Sequence, residues 1–266
     1  KGEMNFEGSS SNTLTVEGNV VTDGVLKFDS ASDGLILEGD EEQILTRTED
    51  GESEIDVLTI NNENGVTISD EFSELKFKIN ENLRLEKGVF SLSGNLLEME
   101  TGAIFTAVNP FSENNMIVTG GTFANYGLLM NIPANTTDDI FIPLGIERYM
   151  PINLDFSQGS SGTTASSYLL RLNVPECGVV VNDPMTPFNE LNNVLGMFFS
   201  VDGNNIGDDL NMDLKLRYNQ QYVQVTNPYT EEDYIAARVL ADETTISKLG
   251  PGAVDDVNDI LTFNLQ

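Results

Sequence analysis

The twelve residues DGNNIGDDLNMD (202–213) are the stretch of this chain best suited to holding a cation. Laid on the twelve-residue calcium loop of helix–loop–helix proteins, Asp202, Asn204, Gly207 and Asp208 fall in fitting positions and Asp213 falls at the last. Two departures weaken the match. Ile206 stands where an oxygen ligand is wanted, and Asp213 replaces the bidentate Glu. The stretch therefore reads as a calcium loop or as an acidic hairpin. VDDVND (254–259) gathers Asp255, Asp256 and Asp259 near a strand start and reads more simply as a solvated turn.

Other chemistry is thinly supplied. The chain has no His, which removes Ser-His-Asp hydrolysis, Cys-His nucleophiles and most zinc sites. Cys177 is the single cysteine, so no intrachain disulfide exists, and a buried free thiol is the simplest role for it. With 43 acidic residues some pair must stand at glycosidase spacing, so a pair by itself carries no information. Most of the 13 basic residues sit singly in apolar-alternating segments, among them Lys76, Lys78, Arg84, Lys215 and Arg217. Glu147-Arg148-Tyr149 reads as a strand-linking turn with an ion pair. Tyr218, Tyr222, Tyr229 and Tyr234 crowd one region, either as a sugar-stacking platform or as ordinary core and edge packing. No catalytic residue and no cofactor are expected, calcium being the one open possibility.

Charge narrows the partners. A formal charge of −30 repels nucleic acid and anionic lipid, so neither is an expected partner. No run of about 18 apolar residues is present to form a spanning helix, and KGEMNFEGSSSN at the start lacks the basic-then-apolar layout of a signal peptide.

The elements that would position any site are short strands. TLTV (13–16), VLKF (25–28), LIL (35–37), VLTI (57–60), VTI (66–68), LKFKI (75–79), LRL (83–85), VFSL (89–92), LLEM (96–99) and AIF (103–105) each alternate apolar side chains. Small polar turns rich in Asn and Gly separate them. Strands this short cannot each bury a face alone and must stack on one another. The pattern predicts a parallel β-helix (β-solenoid) over 1–133, with a rung of very roughly 20–28 residues and Asn amides stacked at equivalent corners. The acidic run EGDEEQILTRTEDGESE (38–54) breaks the rhythm and is expected to be a solvated insert. From 134 the strands lengthen: DIFIPLG (139–145), MPINLDFS (150–157), SSYLLRLNV (166–174), NVLGMFFSVD (193–202), NMDLKLRYN (211–219), YIAARVLAD (234–242) and DILTFNLQ (259–266). These predict an antiparallel, Ig-like β-sandwich over 134–266. Two segments, 186–195 and 230–243, carry helix-start chemistry as well and stay open between strand and helix.

The stretch LTINNENGVTISDEFSELKFKINENLRLEKGVFSLSGNLLEMETGAIF (58–105), followed by GGTFANYG (120–127), resembles the repeat regions of large secreted Bacteroidota surface proteins. FIPLGIERYMPINLDFS (141–157) is similar to a segment of theirs, and LGMFFSVDG, LKLRYN and AAR (195–238) to the module that follows it. That module often has a Trp where Phe198 or Phe199 stands here. The resemblance implies export by the type IX secretion route and display on the cell surface or in extracellular filaments. It also implies a C-terminal sorting domain, so the complete precursor is expected to extend past Gln266. Asp29-Ser30-Ala31 matches the family's O-glycosylation pattern, which makes Ser30 the candidate modification site; Asn135-Thr136-Thr137 matches a sequon that presumes eukaryotic machinery.

The expectation is thus an all-β, acidic, non-enzymatic extracellular protein, a structural or adhesive segment of a larger surface or filamentous assembly. Its expected partners are other copies of itself or other extracellular proteins, with glycans as a further class. The alternative is a carbohydrate-binding or polysaccharide-processing β-helix module.

Overall fold

The computed structural model describes residues 3–6, 12–21, 25–28, 34–46, 52–69, 76–120, 126–173, 198–207, 209–223, 237–239, 246–248 and 253–265. The chain opens with β1 (Glu3–Phe6), β2 (Thr13–Val16) and β3 (Val20–Val21), and then repeats that sequence of three directions. β4 (Val25–Phe28), β5 (Gly34–Leu37) and β6 (Gln43–Thr46) lie on the first three, each parallel to its predecessor. In the next rung β7 (Glu52–Asn61) runs through two directions before β8 (Val66–Ile68), and β9 (Lys76–Lys87) does the same before β10 (Phe90–Ser91). β11 (Leu96–Met99), β12 (Ile104–Thr106) and β13 (Ile117–Val118) follow, again in parallel register. This is the expected β-solenoid: sheet A holds the first two directions, and sheet B holds β3, β6, β8, β10, β13 and finally β16 (Leu144–Gly145).

Register explains the buried rows. Side chains alternate along each strand, and parallel pairing brings like residues onto one line. Leu35, Leu58 and Leu83 form one such inward line; Val66, Phe90, Ile117 and Leu144 form another. All seven are fully buried. Each such Leu or Ile contributes about 1.5–3 kcal/mol through removal from water.

Two sequence expectations need correction here. KFKI (76–79) and LRL (83–85) are not separate strands but parts of β9, and Leu75 lies outside the described residues. The polar Asn80–Glu81 between them is absorbed at a register shift against β7, with the Asn80 amide donating to Asp56 Oδ1 at 2.7 Å. The acidic run 38–54 is not an insert. Its QILT core is β6, paired with β3 and β8, with Leu45 fully buried, and Glu52–Glu54 already belong to β7. Among its described residues the charged corner 40–42 is exposed, together with Glu38 and Ile44. Alternation in four residues outweighed the surrounding charge.

From residue 127 the chain reverses its pairing. β14 (Gly127–Ile132) is parallel to β11 on one edge and antiparallel to β18 (Ser166–Asn173) on the other; β18 then pairs antiparallel with β19 (Phe198–Asn204). Sheet A therefore runs through the expected division at 133 without a break. Sheet C is antiparallel throughout and joins β15 (Ile140–Ile142), β17 (Ile152–Ser160), β20 (Asn211–Arg217), β24 (Ile260–Leu265) and β23 (Ala253–Asp255). Its inward side chains Leu154, Phe156, Met212, Leu214 and Phe263 belong to the same apolar cluster as Tyr168, Leu170 and Leu172 of β18 and as the solenoid interior. Strand alternation puts Asn153, Asp155, Asp213 and Lys215 on the opposite face. A two-stranded sheet of β21 (Ala237–Val239) and β22 (Ile246–Lys248) completes the strands. Thus 237–239 of the undecided segment 230–243 is strand; its remainder and all of 186–195 lie outside the described residues.

Thr119 fastens the reversal. It is fully buried, accepts from Leu172 N–H at 3.1 Å and donates its hydroxyl to Leu172 C=O at 3.3 Å, tying the end of β13 to β18.

Candidate functional site

The calcium-like stretch is divided between two sheets. Asp202 lies on β19 opposite Leu169 in sheet A, and Asn204 ends that strand, exposed and opposite Ser167. Asp213 lies on β20 in sheet C opposite Asp155, where its Oδ1 accepts the Asn264 amide at 2.9 Å. Asp208 lies outside the described residues. The segment is therefore a corner between sheets and not a hairpin, since β19 pairs with β18 while β20 pairs with β17 and β24. Side chains brace this corner. Asn205, at φ 58°, donates its amide to Ala165 C=O at 2.7 Å, and Asp209 accepts Thr163 N–H at 2.8 Å, which lowers its carboxyl pKa. Among the described residues no three acidic side chains converge in a way that would hold a metal ion. At 254–259 Asp255 accepts from Val257 N–H, Asn258 N–H and the Asn258 amide, a self-satisfied turn between β23 and β24.

The other sequence candidates separate as well. Tyr218 is buried in the core and cannot present a ring to a sugar; Tyr222 is half-buried, and Tyr229 and Tyr234 lie outside the described residues. Ser30 and Cys177 also lie outside them. Asn135 is exposed at a turn with φ 60°. In Glu147-Arg148-Tyr149 the ion pair is made by Arg148 to Glu113 at 2.9 Å, a residue that sequence proximity does not suggest. Tyr149 lies against Phe141, which stacks on Phe111 at 6.1 Å; burial raises the Tyr149 pKa.

The buried polar side chains of the solenoid have a shared task. Asn62 donates to Glu41 C=O at 2.7 Å and to Gln43 Oε1 at 3.0 Å; Gln43 donates onward to Val16 C=O and Gly18 C=O. Asn95 donates to Ile68 C=O at 3.2 Å, and Asn115 to Leu85 C=O at 3.1 Å. These bonds reach back 19 to 30 residues, from one rung to the rung before. In place of the expected Asn ladder at equivalent corners, one amide-to-amide bond joins Asn62 to Gln43, which stands in register with Val66. The remaining corner amides bond to backbone carbonyls of the preceding rung.

Basic residues are distributed along acidic rows. Glu54, Lys78 and Glu98 share one register row, Lys76 pairs with Glu98 at 2.5 Å, and Lys78 pairs with Glu100. In sheet C, Lys215 pairs with Asp155, which is almost buried. Lys215 above all, then Ser157, holds the Asp155 carboxyl well below the usual range, while partial burial and the neighbouring Asp155 raise Asp139. One carboxyl is thus kept ionised and its neighbour is biased toward protonation.

A trough of about 420 Å³ lies on the outer face of sheet A. Ile36, Thr59 and Arg84 follow one another in register on β5, β7 and β9; Asn61 and Lys87 form a second line beside them. Val108 and Asn109 make its wall, fixed by Val108 N–H donating to Glu86 Oε2 at 2.9 Å. Sequence reading treats Arg84 as one of several isolated bases. Its neighbours are a rung away in each direction, so only a correct rung length would have placed Thr59 beside it.

No protein-family model matches the chain, and no curated protein or solved structure is detectably similar to it.

Proposed function

We propose that this chain is a non-enzymatic structural or adhesive segment of an extracellular surface assembly. What supports the reading most is the use of its buried polar groups. The side-chain amides of Gln43, Asn62, Asn95 and Asn115 each donate to the rung before, and Asp155 is paired with Lys215. A buried amide tied to backbone in this way stabilises a stack and has little capacity left for a substrate. The acidic surface agrees with a medium of high ionic strength, where a Debye length of about 8 Å at 0.15 M limits self-repulsion. Export by the type IX route, as the sequence resemblance implies, would bring it to the cell surface. Two measurements test this: cleavage by protease added to intact cells, and electron microscopy of native surface material for ordered polymers carrying the chain. Resistance of the chain on intact cells, followed by cleavage after lysis, would overturn the extracellular assignment.

A second reading, contact with glycans, is favoured by the trough over β5, β7 and β9. It is compatible with the first, since adhesive segments act through such contacts.

A further inference from the structure

We propose that the N-terminal rung of the solenoid is an interface for a second copy of this chain, with β2 of each copy pairing antiparallel across a two-fold axis. Such a pairing is one contact within the assembly proposed above and rests on that reading.

The stack supplies its own comparison. Leu14, Val16 and Val20 stand in register with Leu35, Leu37 and Leu45 of the next rung. The later three are fully buried, the first three only partly, and Val21 is 57% exposed. The inward apolar lines therefore reach this end without a cover. Backbone is open there too: among the described residues β1, β2 and β3 pair only with β4, β5 and β6. Gly34 N–H donates to Asn12 C=O and Glu38 N–H to Val16 C=O, so residues 12, 14 and 16 turn their backbone toward β5. Thr13 and Thr15 turn theirs to the open side. Neither β2 nor β3 holds a charge or a proline, the devices that blunt exposed edges, although the chain has 43 acidic residues.

The geometry selects the same end of a second copy. A cover for this rung has to meet three strand directions at once. The far end of the stack offers fewer. In sheet A it finishes on antiparallel β18 and β19, and in sheet B the turn after β16 folds back, with Met150 N–H donating to Leu144 C=O at 2.9 Å. There β12 alone has no further strand among the described residues. Register sets a rung at 21 to 25 residues (Thr13 against Gly34, Val20 against Leu45), and a stable interface takes roughly 20–30 residues a side. Both inward residues of β2 gain an apolar neighbour when Leu14 lies opposite Val16 of the second copy. That register puts Thr15 on the axis, exchanging N–H and C=O with its own copy, as an isologous contact requires. The carboxylate adjoining β2, Glu17, is exposed and falls opposite Thr13 of the second copy. The two Glu17 are then about 13 Å apart along the strands, beyond the Debye length of about 8 Å at 0.15 M salt.

The test is sedimentation equilibrium of the whole chain from about 1 to 100 μM at about 0.15 M salt. A monomer–dimer equilibrium is expected. Thr15→Pro removes an N–H that β5 does not use, and should weaken dimerisation about tenfold or more at unchanged melting temperature. Cys177 is the single cysteine, so Cys177→Ser gives a thiol-free background. On it, Thr15→Cys should form a disulfide-linked dimer with oxidised glutathione and Thr13→Cys should not. Only residue 15 faces itself across the axis, at the Cα spacing of about 5.5 Å that a disulfide bridges. A monomer at every concentration would overturn the proposal, as would a dimer that Thr15→Pro does not weaken and Thr15→Cys does not link. Equal linking through Thr13→Cys would overturn the register. A monomer would leave membership of an extracellular assembly standing, since protease treatment of intact cells decides that separately.

Discussion

In the parallel stack, buried amides reach to the neighbouring rung: Asn62 to Gln43, Asn95 to Ile68 and Asn115 to Leu85. In the antiparallel sheet C, the buried polar group is a carboxylate, Asp155, answered by a lysine on the adjacent strand. Both regions share one apolar cluster, yet they stop growing differently. A parallel stack offers an unfinished edge at each end, ready to pair. β18 and β19 cover the sheet A edge of β14 by reversing direction, with Thr119 pinning the join. Repetition builds the first region, and a single break in repetition terminates it.

The contrast can be broken most severely at the corners of the stack. Gly88 has φ 82°, and a Cβ there would come within 1.7 Å of the Asn62 carbonyl oxygen; Gly102 has φ 86° with no atom within 4 Å. Gly88→Ala should cost about 3 kcal/mol or more through clash and strain together, and Gly102→Ala about 1 kcal/mol through strain alone. Urea unfolding of the two variants measures the difference; equal losses would mean that the corner backbone gives way freely. Next in size is Asn62→Ala, which strands Gln43 Oε1, Glu41 C=O and Asn64 N–H and should cost about 2 kcal/mol. Thr119→Val should cost about 1–2 kcal/mol by removing both hydrogen bonds between the Thr119 hydroxyl and Leu172 where the reversal begins. Hydrogen exchange should show the β18 amides losing protection before those of β7 and β9.

Sheet C differs in its response to acid. The lowered Asp155 pKa means that its stabilising contribution is complete above the unfolded carboxyl pKa of about 4 and is lost as pH falls through the folded value. Asp139 acts oppositely: its raised pKa contributes at acid pH and is lost as pH rises through that value. Lys215→Met should therefore destabilise by about 1–2 kcal/mol at pH 7, reduced from a fully buried pair because the lysine is 35% exposed, and should flatten the acid limb. Melting curves from pH 3 to 7 for the two proteins check this; parallel limbs would remove the pair from the account. Smallest of all, millimolar calcium should give no saturable rise in Tm over matched magnesium, because Asp202 and Asp213 stand on strands of different sheets. A saturable rise would assign 202–213 as a cation site.

Most of the solenoid was legible because its signal is local. Alternation inside TLTV, VLKF, VTI and LLEM states a strand, and these are β2, β4, β8 and β11; in VTI and LLEM it also states the buried face. QILT was lost only because acids surround it. The candidate sites were much less legible. Arg148 finds Glu113, Asp155 finds Lys215 and Arg84 finds Thr59 across sequence separations that no spacing rule specifies. The strand-like segments after 134 were recognised, but their distribution among sheets A, B and C was not, since alternation names a face without naming a partner.

The sequence by itself determined an all-β chain with a stacked, inward-facing first half and an acidic exterior, because side-chain alternation and charge are properties of neighbours along the chain. Tertiary structure alone decided that sheet A continues into an antiparallel end, that 202–213 is split between sheets, and that two scarce cations meet at one trough. Those outcomes depend on strand pairing and register, which are settled only when distant segments compete for the same edge.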